Sequence, residues 1–346
     1  MTLNRPHPVT LRYRIYGLNL SSDSPIPGLQ EETDCSTGPD VCVELCAEPD
    51  WARDALQLPS SILQYIAASP ETKDPAFVLT SLGERQFFQL AYTDGTRFVV
   101  NGAATKIWGT PGNSQTVDDL ATYFLGPVMG FILRRRGVIA LHSSALCIDG
   151  KAILLAGEAG SGKSTTAAAL ALRGATVLCE DVAAIEERDA GFTVEAGHAR
   201  VCLWPESVEM LMGRPDALPL LTPNWEKCYL PLDGGGATLE RQNRPLAAIY
   251  ILSPREAAPD APRIEEVSGH EVLLDLVQNT YMNWILDRAQ RAAEFEVLAH
   301  LISRIPVRRV VPHRDPARIG ALCDLILADA KRLLANPLAA AHAAGR

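Results

Sequence analysis

The stretch Lys151–Leu172, KAILLAGEAGSGKSTTAAALAL, leaves the chain little choice of local architecture. Ala152, Ile153, Leu154, Leu155 and Ala156 form an apolar run of strand length. Gly157-Glu158-Ala159-Gly160-Ser161-Gly162-Lys163-Ser164 follows and matches the spacing G-x-x-x-x-G-K-[ST] of a phosphate-binding loop. Thr165 to Leu172 is rich in alanine and leucine, both strong helix formers, and Gly174 stands where such a helix would stop. The expectation is a buried strand, a glycine-rich loop and a helix, in that order.

The residue types explain the spacing. Gly157, Gly160 and Gly162 permit backbone conformations that side chains forbid, so that N–H groups can converge on phosphate oxygens. The next helix offers its positive end to the same oxygens. Lys163 is a point charge suited to the β- and γ-phosphates, and the Ser164 hydroxyl is suited to Mg²⁺. A glycine-rich connector that binds nothing is the alternative. The strand before the loop and the helix after it favour a nucleoside triphosphate, held along Gly157–Thr165.

A length of 346 residues allows one large or two ordinary domains. The net charge of -9 argues against a nucleic-acid binder that works through a basic face, although Arg134-Arg135-Arg136 forms a local basic patch. The eight cysteines, at positions 35, 42, 46, 147, 179, 202, 228 and 323, include no C-x-x-C pair. Several fall in strand-like segments and read as reduced, buried thiols of a cytoplasmic protein. Neither a signal-peptide core nor an apolar run of about 18 residues is present, so no membrane association is expected.

Residues 1–115 read as a smaller, mostly antiparallel β domain. Alternating segments lie at 9–20 and 40–46, and a hairpin at Asp94-Gly95 joins Phe87–Tyr92 to Arg97–Val100. Residues 116–136 predict a linking helix capped by Thr116, kinked or divided at Gly126-Pro127, with its three arginines in a solvated last turn or, as the alternative, facing substrate. Residues 137–335 carry the rest of the fold, and 336–346 read as a frayed tail. The overall expectation is α/β, or α+β across the whole chain.

In the larger part, Val138–Ile148 reads as a strand that turns at Asp149-Gly150 into the strand before the loop, and His142 is its only imidazole. Thr176–Ile185 reads as a second buried strand bearing Glu180 and Asp181. A parallel crossover would place one or both of these acids beside the phosphates, to hold Mg²⁺ or accept a proton. Adjacent strand residues face opposite ways, so one acid can do chemistry while the other packs or pairs, and a turn-forming acidic pair is the alternative. Further on, Phe192–Leu203 reads as a strand pair and Trp204–Gly213 as a short helix. A Pro- and Gly-rich loop spans 222–236, including Lys227 and Gly234-Gly235-Gly236. A strand follows at Leu246–Leu252, then a largely helical stretch over 269–303 with Tyr281 and Trp284, a strand at Val307–Val311 and a helix over Pro316–Ala335.

Leu141–Ala145, Gly157–Thr165 and Arg173–Asp181 together resemble the HPr kinase/phosphorylase family. Within it, Tyr16-Gly17-Leu18, Pro25–Leu29 and Lys227–Leu252 resemble the kinases found with lasso-peptide biosynthesis. The resemblance is good over 137–185 and looser elsewhere. It implies a P-loop kinase fold, ATP and Mg²⁺ as cofactors, and phosphorylation of a serine hydroxyl on a peptide or protein. The catalytic set it implies is His142, Lys163, Glu180 and Asp181. The first acid, Glu180, would accept the serine proton with His142 close by. Ser164 would hold Mg²⁺ with Asp181 or Glu180 nearby. The family's usual acid pair is Asp-Asp, which here is Glu180-Asp181. Its downstream glycine-rich signature with a metal-binding glutamate has no counterpart around Val201–Pro205, nor does its phosphorolysis segment. A small-metabolite kinase and a nucleotide-gated regulatory protein are the alternative functions, and a homo-oligomer stays open.

Overall fold

The computed structural model describes residues 10–33, 37–67, 75–198, 200–232, 236–267 and 269–335. The chain divides into two units, Met1–Arg136 and Gly137–Arg346. The architecture is mixed α/β.

In the first unit, alternating residues bury every second side chain: β1 (Leu11–Ile15) buries Tyr13 and Ile15 and exposes Arg14. There follow β2 (Leu18–Ser22), β3 (Val41–Glu44), α1 (Asp50–Leu56), β4 (Ser60–Ala67), β5 (Pro75–Leu82), β6 (Phe87–Tyr92), β7 (Arg97–Asn101) and β8 (Lys106–Thr110). All eight strands form one sheet in the order β1-β2-β3-β8-β7-β6-β5-β4, antiparallel except that β3 runs parallel to β2 and β8. The Asp94-Gly95 turn joins β6 to β7, with Gly95 at φ +88°.

Helices α2 (Val117–Tyr123) and α3 (Met129–Arg135) complete this unit. Thr116 and Asp119 form a reciprocal capping box. Gly126-Pro127 does not divide the run. Phe124–Val128 widens into a π-helical turn, which absorbs the N–H that proline lacks. The arginines at its end are not a solvated patch either. Arg134 is buried, Arg135 lies 4.8 Å from the Phe88 ring, and Arg136 pairs with Asp40 at 3.7 Å. Their apolar stems pack as readily as their charges solvate.

The second unit contains β9 (Ile139–Leu141), β10 (Ser143–Ile148), β11 (Lys151–Ala156), α4 (Lys163–Ala171), β12 (Thr176–Cys179), β13 (Ala183–Arg188), β14 (Gly191–Val194), β15 (Val201–Leu203), α5 (Pro205–Met212) and β16 (Cys228–Leu230). These lead to β17 (Thr238–Leu239), β18 (Arg244–Leu252), β19 (Arg263–Glu266), α6 (Gly269–Gln278), α7 (Arg288–Arg304), β20 (Val307–Val311) and α8 (Ile319–Ala335). The β10–β11 hairpin turns on Asp149-Gly150, at φ +49° and +77°. Parallel to β11 run β18 and then β20. Helix α4 is nearly all alanine and leucine beyond its first turn and is buried on all sides, among α8 residues such as Leu322 and Ile326.

Four sequence expectations change here. Val138–Ile148 is two strands, β9 and β10, broken at His142. Thr176–Ile185 is likewise broken, at Glu180–Val182. Both breaks occur where the chain leaves the β10–β12 pairing for the β9–β13 pairing, so His142 and the acids stand at one crossing. Strands β14 and β15 do not pair with each other; β14 joins β13 and β18, whereas β15 joins β16. Finally, the helical stretch over 269–303 is interrupted between α6 and α7, and Tyr281 and Trp284 lie in the interruption. Gly234, Gly235 and the tail from residue 336 lie outside the described residues. Among the described residues no helix is long and apolar enough to cross a membrane, and every described cysteine is a free thiol.

Candidate phosphate-binding and carboxylate site

Strand β11 delivers Gly157 at its buried end, and Gly157, Gly160 and Gly162 take φ of +139°, +80° and +100°. Gly157 is required by close approach as well as by φ, whereas at Gly162 the approaching atom is the movable end of an arginine side chain. A Cβ on Gly157 would meet the Leu252 carbonyl oxygen at 2.7 Å, and one on Gly162 would meet Arg255 Nη2 at 2.9 Å. The Gly157 N–H donates to Asn279 Oδ1 at 2.9 Å. Glu158 and Ala159 lie on the exposed rim. Lys163 is only 7 % exposed, and its Nζ donates to the carbonyls of Gly157 (2.7 Å) and Glu158 (3.0 Å). Burial pushes its pKa down, and the charges of Asp181 and Glu180 oppose that shift. Ser161 Oγ is buried without a hydrogen-bond partner among the described residues. An orphaned hydroxyl in a ring of left-handed glycines beside a buried ammonium fits a phosphate group.

The acids follow β12 in a three-residue turn. The Val182 N–H donates to the Glu180 carbonyl at 2.9 Å around Asp181, whose φ is +69°. Glu180, 6 % exposed, accepts from Ser164 Oγ at 2.5 Å. Asp181 instead meets His142 Nδ1 at 3.1 Å through Oδ1, and accepts from Tyr281 Oη at 3.4 Å through Oδ2. Metal pairing of Ser164 with Asp181 is thus not what the fold brings together; Ser164 meets Glu180, and His142 meets Asp181. The reason is the turn, which aims consecutive side chains at different partners without strand alternation. Burial and the neighbouring Asp181 charge push the Glu180 carboxyl up to about 7, against the pull of the Ser164 bond. Burial would raise Asp181 as well, but the bond and charge of His142 hold it below its usual range.

The sequence reading missed Asn279 and the segment it opens. The Asn279 carbonyl accepts from the His142 N–H at 2.7 Å, Thr280 bridges Leu141, and the Tyr281 N–H donates to Ala140 O at 2.8 Å. One short segment therefore holds both the His142 strand and, through Asn279 Oδ1, the phosphate loop. Its only local signal is the poor helix formers Asn279 and Thr280 after LLDLVQ. On another side of α4, Thr165 Oγ1 lies 2.9 Å from Ser207 Oγ.

Among the described residues no three His, Cys, Asp or Glu side chains gather as a metal cage. Mg²⁺ does not require one, since it keeps several waters and takes one or two carboxylates together with phosphate oxygens. Ser164 and Glu180 fit that demand.

No family model and no curated protein matches the chain. Solved structures do match. One is the Hpr(Ser) kinase/phosphatase from Coxiella burnetii, at 17 % identity and a TM-score of 0.31, covering 59 % of this chain and 96 % of that one.

Proposed function

We propose that the protein is an ATP-dependent kinase that transfers the γ-phosphoryl group to a serine hydroxyl of a peptide or protein. The observation that carries this reading is the junction at α4. The phosphate-loop Ser164 is bonded to one buried acid, while the next residue, Asp181, is paired with His142. Guided by the resemblance at Tyr16–Leu18 and Pro25–Leu29, we take a ribosomally made lasso-type precursor as the first acceptor to test, with residues 1–115 docking it.

Lys163 and the loop N–H groups bind and orient the triphosphate. Ser164 and Glu180 would hold Mg²⁺, which supplies positive charge to the phosphate oxygens when bound. Asp181 orients the acceptor hydroxyl and takes its proton. A bond forms from the serine oxygen to the γ-phosphorus, the bond from γ-phosphorus to the bridging oxygen breaks, and ADP leaves. With a loose transition state, positioning matters more than base strength, so an acid held ionised by His142 serves. His142 keeps that carboxylate charged and aimed.

Incubation with labelled ATP, Mg²⁺ and precursor peptides, read by mass spectrometry, tests the reaction. Lys163→Ala should abolish transfer with native circular dichroism. Asp181→Asn should lower kcat by more than about 100-fold with the Mg²⁺ dependence unchanged, whereas Glu180→Gln should raise the Mg²⁺ concentration needed. The opposite pattern would exchange the two roles. Phosphate added only to small hydroxyl compounds would make the protein a metabolite kinase, and ATP binding without transfer a regulatory one.

A further inference from the structure

Strands β15 and β16 form a two-stranded ribbon that belongs to neither large sheet, and the reaction above leaves it unused. Val201 pairs with Leu230, Cys202 with Tyr229 and Leu203 with Cys228. Val201, Leu203, Cys228 and Leu230 are buried in the core of the second unit. By strand alternation Cys202 and Tyr229 share the opposite, half-buried face. Two cations flank that face. Arg200 Cζ lies 5.0 Å from the centre of the Tyr229 ring, and Lys227 Nζ lies 4.9 Å from that of Trp204, an indole 54 % exposed.

We infer that the ribbon reads the acceptor: Arg200 and Lys227 bind the side-chain carboxylate of an aspartate or glutamate flanking the acceptor serine. The inference rests on the peptide-kinase reading above and makes the acceptor an acidic segment. Three observations carry it. First, the ribbon is tied across the acid side of the phosphate loop. Ahead of it, the Gly197 N–H donates at 2.9 Å to the carbonyl of Leu178, which lies just before Cys179 and Glu180. Behind it, Ser207 Oγ lies 2.9 Å from Oγ1 of Thr165, the residue after Ser164. Second, neither cation is neutralised. Arg188, Arg244, Arg263 and Arg309 of the same unit all pair with carboxylates. The charged groups of Arg200 and Lys227 have aromatic faces instead, and no ion pair or hydrogen bond among the described residues. An aromatic face holds a cation in place without cancelling its charge, which leaves it open to a carboxylate. Third, the face between them feels both sets of charges. Burial raises the pKa of the Cys202 thiol, the Glu180 charge raises it further, and the charges of Lys227 and Arg200 oppose the rise.

The chemistry suits the task. Glu180 and Asp181 repel an acidic peptide, and two cations beside them offset that repulsion while selecting for the acid. Arginine offers a fork to both carboxylate oxygens, and lysine adds a point charge. Docking of the rest of the precursor stays with residues 1–115, while the ribbon reads only what adjoins the serine.

The test uses the full chain and end-blocked synthetic peptides, each with one serine, that carry either glutamate or glutamine at the positions beside it. Fluorescence anisotropy reads binding, and mass spectrometry with ATP and Mg²⁺ reads transfer. The wild type should bind the glutamate peptide at least about tenfold more tightly than the glutamine peptide. Arg200→Ala and Lys227→Ala should each cut that ratio at least about threefold, with affinity for the glutamine peptide, affinity for ATP and circular dichroism unchanged. The double variant Arg200→Glu, Lys227→Glu should prefer a peptide with lysine at those positions. Equal wild-type affinities for the glutamate and glutamine peptides, or a ratio that both alanine variants keep within about twofold, overturn the inference. If the wild type binds with the expected ratio but transfers no phosphate, the kinase reading fails and the ribbon stands as a peptide-binding surface. Transfer to both peptides at equal affinity keeps the kinase and removes the ribbon's role.

Discussion

Asp181 adopts a left-handed φ of +69° that costs a non-glycine residue on the order of 1 kcal/mol or more, and its neighbours over-determine it. His142 and Tyr281 hold its carboxylate, and Ser164 holds the preceding one. The cost is compounded at Glu180, buried next to a like charge. Its carboxyl titrates at about 7, above the ordinary 4.5. A group whose folded pKa is raised favours the fold below its unfolded pKa and loses that contribution as pH rises through the folded value. The metal-free protein therefore carries a penalty on the order of 3 kcal/mol at pH 8. Glu180→Gln should recover most of it at pH 8 and nothing near pH 4.5, as read by denaturant midpoints in chelator. His198, pushed down to about 4 by burial, has the opposite dependence: its contribution is full above its usual 6.5 and lost as pH falls towards 4. At pH 8 it no longer changes. That both acids lie at the site was legible from their distance after the loop. Their different partners were not, because strand alternation implied opposite faces where a three-residue turn sets the directions of both side chains.

Between elements, the hairpin β10–β11, the phosphate loop and α4 follow from local rules: an Asp-Gly turn, an apolar run, glycines and an alanine-rich helix. The breaks at His142 and at Glu180–Val182 do not, because each depends on which neighbouring strand the chain pairs with next. The segment Asn279–Tyr281 is still less legible, since Asn279 meets Gly157 across 122 residues of sequence. Its contact has a consequence for function. Removing the side chain leaves a loop N–H unsatisfied and frees the loop from the His142 strand, a loss of about 1–3 kcal/mol. Asn279→Ala should raise the KM for ATP about tenfold and lower kcat, checked by steady-state kinetics. A residue that merely filled space would lower Tm and leave the KM where it was.

At the scale of the molecule, the sequence separates residues 1–115 from residues 137–335 by a linking helix over 116–136, and the contacts divide the chain at Arg136–Gly137. The helix of residues 116–136 clusters with the first unit, because its Phe131 packs edge-on against Phe88 of β6 at 5.3 Å and its Arg135 lies over the same ring; sequence periodicity shows that a helix has an apolar face but not what covers it. Every group named here for the loop, the acids and the ribbon lies between His142 and Tyr281, inside the second unit. That unit also has its own core, in which α4 is packed by α8. Residues 137–346 expressed alone should therefore fold and bind ATP with an affinity within about threefold of the full chain. If the first unit docks the acceptor, as we propose, the same fragment should phosphorylate the precursor peptide with a KM raised at least about tenfold, while its ATP affinity stays put. Calorimetry and peptide-phosphorylation kinetics on the two proteins separate these outcomes. A fragment that binds ATP and phosphorylates the peptide as well as the full chain would assign acceptor recognition to the second unit, beside Glu180 and Asp181.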